Sequence, residues 1–181
     1  ITLESLLEGE SWTPVPERTI ELVAGTTSYE FKDLPKYSQD SREYKYRVVE
    51  KAVNGYETSY GDNNDITNTY TPGEKSIKVT KIWTNVNPEK DTVPKVSIIL
   101  KQNGVEIGNV SLDNSNGYTH TFKDLAKYAP TGEEYVYTVE EVLPNGTVGY
   151  SKEIKPEEDG YLIENIFDKT REQISFICNR H

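Results

Sequence analysis

Three polar residues stand where an alternating strand would be apolar. Lys81 follows Ile77-x-Val79, Glu141 follows Tyr137-x-Val139, and Asn165 lies between Ile163 and Phe167. Residues i, i+2 and i+4 of a strand share one face, so each polar group falls on an otherwise apolar face. Lys and Glu are rarely fully buried unless paired, and a buried unpaired charge is strongly destabilising. Bringing the three groups together removes that penalty. Burial lowers the pKa of an amine and raises that of a carboxyl. The product is a neutral amine, which is a nucleophile, beside a carboxylic acid able to polarise the Asn carbonyl. Attack on the amide carbon, with loss of ammonia and proton shuttling through the Glu, leaves a Lys–Asn isopeptide bond. Proximity in a dry core supplies much of the acceleration. Such a reaction is a single turnover within one domain, not enzyme catalysis. Three ordinary readings stay open beside it: a buried Lys–Glu pair with Asn completing its hydrogen bonds, strand-end residues reaching water, or a face assignment that slips at a bulge.

The elements that must position these groups recur in tandem. Phe31-Lys32-Asp33-Leu34 returns as Phe122-Lys123-Asp124-Leu125, an offset of 91. Lys36-Tyr37 returns as Lys127-Tyr128, and Glu43-Tyr44-x-Tyr46-x-Val48-x-Glu50 as Glu134-Tyr135-x-Tyr137-x-Val139-x-Glu141, at the same offset. Ile66-x-Asn68-x-Tyr70 matches Ile163-x-Asn165-x-Phe167 at an offset of 97. The reading is a tandem pair, 1–72 and 73–170, divided at Thr71-Pro72-Gly73, with 171–181 as a tail. Ile1-Thr2-Leu3 aligns with the second strand region of the later copy, so the first copy lacks its opening strand.

Almost everything else reads as short strands. Ile77, Val79 and Trp83 alternate with Lys78, Thr80 and Thr84. Val96 to Lys101 and Val105 to Val110 flank Asn103-Gly104, a strong hairpin signal because both turn positions need positive φ. Tyr118 to Phe122, Tyr135 to Val142, Gly149 to Ile154 and Tyr161 to Phe167 complete about seven strands in the second copy. The fold class is all-β: two tandem antiparallel sandwiches of immunoglobulin type.

Composition narrows the function. Lys+Arg 20 against Asp+Glu 30 gives a net charge of −10, which argues against nucleic-acid or anionic-membrane partners. No run approaches a bilayer-spanning helix, so no membrane insertion of this segment is expected. A chain without Met reads as an excised fragment or a processed product. The single Cys178 excludes an intrachain disulfide and a cysteine metal cluster, and two His leave little for a zinc site or a His-based triad. No phosphate loop, nucleophile elbow or dinucleotide fingerprint occurs, so no cofactor is expected. Asp62-Asn63-Asn64-Asp65 has the oxygen density of a Ca²⁺ site but reads as a polar loop, and no metal is expected. Leu143-Pro144-Asn145-Gly146-Thr147 reads as a turn. Trp12, Trp83 and the many Tyr can form a sugar-binding platform or, more simply, core and cross-strand packing.

The ordered set of motifs resembles the Cna B-type domain, a repeat in the stalks of Gram-positive surface adhesins and pilins. In the second copy the resemblance runs through Val79-Thr80-Lys81-Ile82-Trp83, Phe122 to Leu125, Tyr137 to Glu141 and Ile163 to Phe167. In the first it runs through Phe31 to Tyr37, Tyr46 to Glu50 and Ile66 to Pro72. The resemblance implies an immunoglobulin-like sandwich, and a self-formed isopeptide from Lys81 to Asn165 with Glu141 as the promoting acid. Glu50 and Asn68 match the family's Glu and Asn in the first copy, a remnant of the triad whose Lys belongs to the missing strand. Lys32, Lys36, Lys45 and Lys51 sit in the wrong elements to replace it, so one bond is expected rather than two. The implied setting is the bacterial cell surface and cell wall. The implied partners are neighbouring repeats and, through the parent protein, host extracellular matrix. The competing function is a binding module for host matrix protein or glycan. The tail reads as a degenerate opening strand of a third domain, an expression tail, or a strand lent to the first copy of another molecule.

Overall fold

The computed structural model describes residues 1–23, 25–87 and 91–169. They fall into two compact units, one of Ile1–Pro72 with Pro130–Gly132, the other of the remainder. The first unit has five strands: β1 (Thr2–Leu7), β2 (Thr13–Thr19), β3 (Tyr44–Val49), β4 (Tyr56–Tyr60) and β5 (Ile66–Tyr70). They form a three-stranded sheet in the order β2-β1-β3 and a β4-β5 pair. The second unit has seven: β6 (Glu74–Thr84), β7 (Val96–Gln102), β8 (Val105–Leu112), β9 (Thr119–Ala126), β10 (Tyr137–Val142), β11 (Tyr150–Glu157) and β12 (Gly160–Phe167). These build one sheet in the order β11-β12-β6-β9 and another in the order β10-β7-β8.

The core of the second unit lies between its sheets. Ile77, Val79 and Ile163 come from the first sheet, and Val96, Ile98, Leu100 and Val139 from the second, in one buried cluster. The alternation that places them is visible in β10, where Tyr137, Val139 and Glu141 are buried while Thr138, Glu140 and Val142 are exposed. Asn103 and Gly104 close the β7–β8 hairpin with φ of 48° and 83°, the turn their sequence demands.

The repeated Phe-Lys-Asp-Leu motif also has a backbone meaning. Asp124 has φ 57° and sits in a bulge where β9 carries one more residue than β6, between Lys75↔Leu125 and Ile77↔Phe122. Asp33, its counterpart in the first unit, has φ 58°. Asp tolerates this left-handed region better than most residues.

The structure departs from the expected antiparallel pattern at the point that matters most. β6 and β12, the first and last strands of the unit, pair in parallel, with Lys81 opposite Ile163 and Trp83 opposite Asn165. Parallel neighbours need a long crossover, and here all of β7 to β11 supplies it. Alternation fixes which face a residue takes, not which strand lies beside it. In the first unit no described residues form a strand like β6. Residues 28–35, at the repeat offset from β9, are correspondingly not strand, because β9 pairs with β6.

Gly160 begins the β6–β12 seam. A Cβ there would stand 1.8 Å from the Lys78 carbonyl oxygen. Gly160→Ala should therefore destabilise the second unit by about 2–3 kcal/mol in denaturant titration. An unchanged midpoint would contradict the close parallel approach.

Candidate functional site

Lys81, Glu141 and Asn165 meet inside the second unit. β6 turns Val79 and Lys81 inward and leaves Lys78 and Ile82 exposed. β12 turns Ile163 and Asn165 to the same interior. Because the strands are parallel and in register, Lys81 and Asn165 are diagonal neighbours on one face. Glu141 comes from β10 in the opposing sheet, where it lies opposite Ile98 of β7. The three residues are 3%, 4% and 0% exposed, so none reaches water as a strand-end side chain would.

One carboxylate oxygen faces both nitrogens. Glu141 Oε1 lies 3.8 Å from Lys81 Nζ and accepts a 3.1 Å hydrogen bond from Asn165 Nδ2. Lys81 Nζ also donates to the Ile82 carbonyl oxygen at 2.6 Å. It stands 4.0 Å from the centroid of the Trp83 ring, which Tyr118 and Tyr150 flank edge-on. Glu141 Oε2 and Asn165 Oδ1 are buried without a hydrogen-bond partner. Rotating the Asn165 amide by half a turn would set Oδ1 in the place of Nδ2, where a protonated Glu141 could donate to it.

Burial lowers the Lys81 pKa from 10.5 to about 8, against the opposing attraction of Glu141 and Glu164. Burial therefore favours the neutral amine far more than in an ordinary lysine. The site thus holds an amine whose neutral form burial favours, an amide carbon and a carboxyl in a dry space. It has the groups required for acyl transfer from nitrogen to nitrogen.

The first unit keeps two of the three groups. Thr58 Oγ1 is 2.8 Å from Asn68 Oδ1 and 3.3 Å from Glu50 Oε2, so its single proton lies between two acceptors, nearer Asn68. Asn68 is exposed and Glu50 half-buried. Lys32 and Lys36 form surface pairs with Glu30 and Glu43, away from them. Thr58 was not foreseen from the sequence. Its signal is the alternation Tyr56-x-Thr58-x-Tyr60 and its pairing opposite Asn68.

The other sequence candidates resolve more simply. Asp62–Asn64 forms a single 3₁₀ turn with Asn63 and Asn64 in the left-handed region. Trp12 stacks against the Arg47 guanidinium at 4.4 Å, and Trp83 packs beside Lys81. The tail readings and Cys178 lie outside the described residues.

Two tandem all-β units, the second a full two-sheet sandwich and the first with no strand like β6 among its described residues, define an immunoglobulin-like repeat protein. The Cna protein B-type domain family matches residues 1–69 and 77–166. The chain belongs to that family. It is 35% identical over 166 residues to a collagen adhesin of Staphylococcus aureus, covering 90% of this chain and 13% of that protein. Two solved structures of the collagen-binding surface protein of S. aureus are also similar. A single B repeat unit has 31% identity, TM-score 0.47, and coverage of 92% of this chain and 86% of that one. A pair of B repeat units has 32% identity, TM-score 0.46, and coverage of 92% and 43%.

The Lys81 environment sets a pH dependence. In an Asn165→Ala chain Lys81 is left as an amine. Its folded pKa of about 8 lies below 10.5, so between those values the unfolded chain binds the extra proton and stability rises with pH. The stability gap between Asn165→Ala and Asn165→Ala/Lys81→Met, read by urea titration, should shift in favour of the Lys81 chain by about 2–3 kcal/mol from pH 7 to pH 10. A gap independent of pH would contradict the assignment.

Proposed function

We propose that the second unit cross-links itself through a Lys81–Asn165 isopeptide bond promoted by Glu141. On this reading the chain serves as a structural stalk segment of a Gram-positive cell-surface adhesin. The observation that carries the reading is the position of Glu141 Oε1, within reach of both the amine and the leaving nitrogen. Neutral Lys81 attacks Asn165 Cγ, and the Glu141 carboxyl polarises the carbonyl oxygen. The same carboxyl takes a proton from the attacking amine and delivers one to Nδ2, which departs as ammonia. One C–N bond forms and one breaks, and the carboxyl ends as it began. The reaction occurs once per unit, so the chain is not an enzyme.

The strand order gives the bond a mechanical role. Tension entering at the start of β6 and leaving at the end of β12 would shear two parallel neighbours. A covalent link from Lys81 to Asn165 carries that load and shields everything between them. Membership in the Cna B-type family and identity to a collagen adhesin support a place in the wall-anchored stalk of a surface protein. Its neighbours there would be further repeats, and host matrix would be met through the parent protein.

Closing a loop of this size stabilises by about 4.5 kcal/mol in the chain-entropy account. Lys81→Ala and Asn165→Ala should each lower the melting temperature of the second unit by about 10 °C or more, and each should shorten its lifetime in protease while the β signal persists. Asn165→Ala retains the Lys81–Glu141 pair, so its loss separates the bond from the ion pair. Parent-like stability of both variants would refute the stalk mechanism.

A further inference from the structure

We infer that Asn54 and Asn145 are sites of spontaneous deamidation, at which each unit converts an amide to a carboxylate by reaction with water. Asn-Gly occurs as Asn54-Gly55, Asn103-Gly104, Asn116-Gly117 and Asn145-Gly146, and the first and last of these coincide at the repeat offset. Glycine carries no side chain, so its nitrogen can approach the Cγ of the preceding Asn closely. That approach opens the pair to ring closure, and the structure decides which of the four can use it.

Two pairs are tied down. Asn103 lies in the left-handed region at φ 48°, inside the β7–β8 turn, and its Oδ1 accepts from the Val136 backbone nitrogen at 2.9 Å. Asn116 is held at both ends of its amide. Its Oδ1 accepts from the Asp113 backbone nitrogen at 3.1 Å, and its Nδ2 donates to the Ser111 carbonyl oxygen at 2.7 Å. The Gly117 nitrogen is itself engaged, donating to the Asn114 carbonyl oxygen at 3.3 Å. Ring closure at either pair requires a local opening that breaks these bonds first.

The other two pairs are open. Val53 to Tyr56 and Pro144 to Thr147 form matching four-residue turns, closed by Tyr56 N to Val53 O at 3.2 Å and Thr147 N to Pro144 O at 3.1 Å. Gly55 and Gly146 stand third in these turns with φ of 78° and 83°, the type II form that calls for glycine there. The turns need the Gly but make no such demand of the Asn. Asn54 and Asn145 are exposed. Among the described residues, neither their side-chain amides nor the Gly55 and Gly146 nitrogens have a hydrogen-bond partner. The glycine nitrogen attacks Asn Cγ and loses its proton, the Cγ–Nδ2 bond breaks, and ammonia departs from a cyclic imide. Water then opens the ring at either carbonyl, giving aspartate or isoaspartate. Each event adds one negative charge to a chain already at −10.

The test is to age the full chain in warm neutral buffer, folded and in urea, and to map its peptides by mass and by isoaspartyl methyltransferase labelling. In the folded chain, acid and isoaspartate should accumulate at Asn54 and Asn145 about tenfold or more faster than at Asn103 and Asn116. In urea the four rates should draw together. An Asn54→Gln/Asn145→Gln chain should hold its mass with age. Absence of acid at either Asn54 or Asn145 in the folded chain overturns the inference. Equal rates at all four pairs in the folded chain overturn it as well. The outcome is separable from the Lys81–Asn165 reading. An imide also lacks one ammonia, but that deficit disappears in the double variant and on hydrolysis, whereas a Lys81–Asn165 bond survives both.

Discussion

The parallel pairing of β6 with β12 is the constraint on which the rest of the second unit depends. It closes the sheet with the first and last strands side by side, so the whole unit becomes the crossover between them. It places Lys81 and Asn165 on one inward face, one step apart along the seam. It also gives β9 its partner, as the first unit demonstrates by contrast. Among its described residues there is no strand equivalent to β6, residues 28–35 are irregular, and Leu3 and Leu7 are the fully buried apolar side chains.

Burial then turns geometry into chemistry. A lysine in water has almost no neutral amine at physiological pH. Burial beside Trp83 lowers its pKa to about 8, and Glu141 supplies the carboxyl that a buried amine needs. The arrangement leaves Glu141 Oε2 and Asn165 Oδ1 without partners in the core. Unsatisfied buried polar atoms are costly in any stable core. Here they sit on groups that the proposed reaction would use, beside Trp83 Nε1, which is also buried without a partner and which it would not use.

Much of this was legible from residue spacing because strand alternation is local. Ile77-x-Val79-x-Lys81, Tyr137-x-Val139-x-Glu141 and Ile163-x-Asn165 each declare a face, and those faces turn inward in the structure. The Asn103-Gly104 turn was legible for the same reason. Strand neighbours were not, since periodicity is blind to direction, and the parallel seam therefore departs from the antiparallel expectation. The bridging role of Thr58 depends on a cross-strand pair, and the position of Trp83 over the amine depends on packing from Tyr118 and Tyr150. The repeated Phe-Lys-Asp-Leu motif was legible as a repeat but not as the left-handed bulge that Asp124 makes.

The central claim is that Lys81, Glu141 and Asn165 complete one amide-forming reaction on folding. Its most direct test is the mass of the purified, denatured chain beside its Glu141→Ala and Asn165→Ala variants. The account predicts a parent lighter than its sequence by one ammonia and both variants at full mass. A parent at full mass would reduce the three residues to an ordinary buried polar cluster and contradict the account.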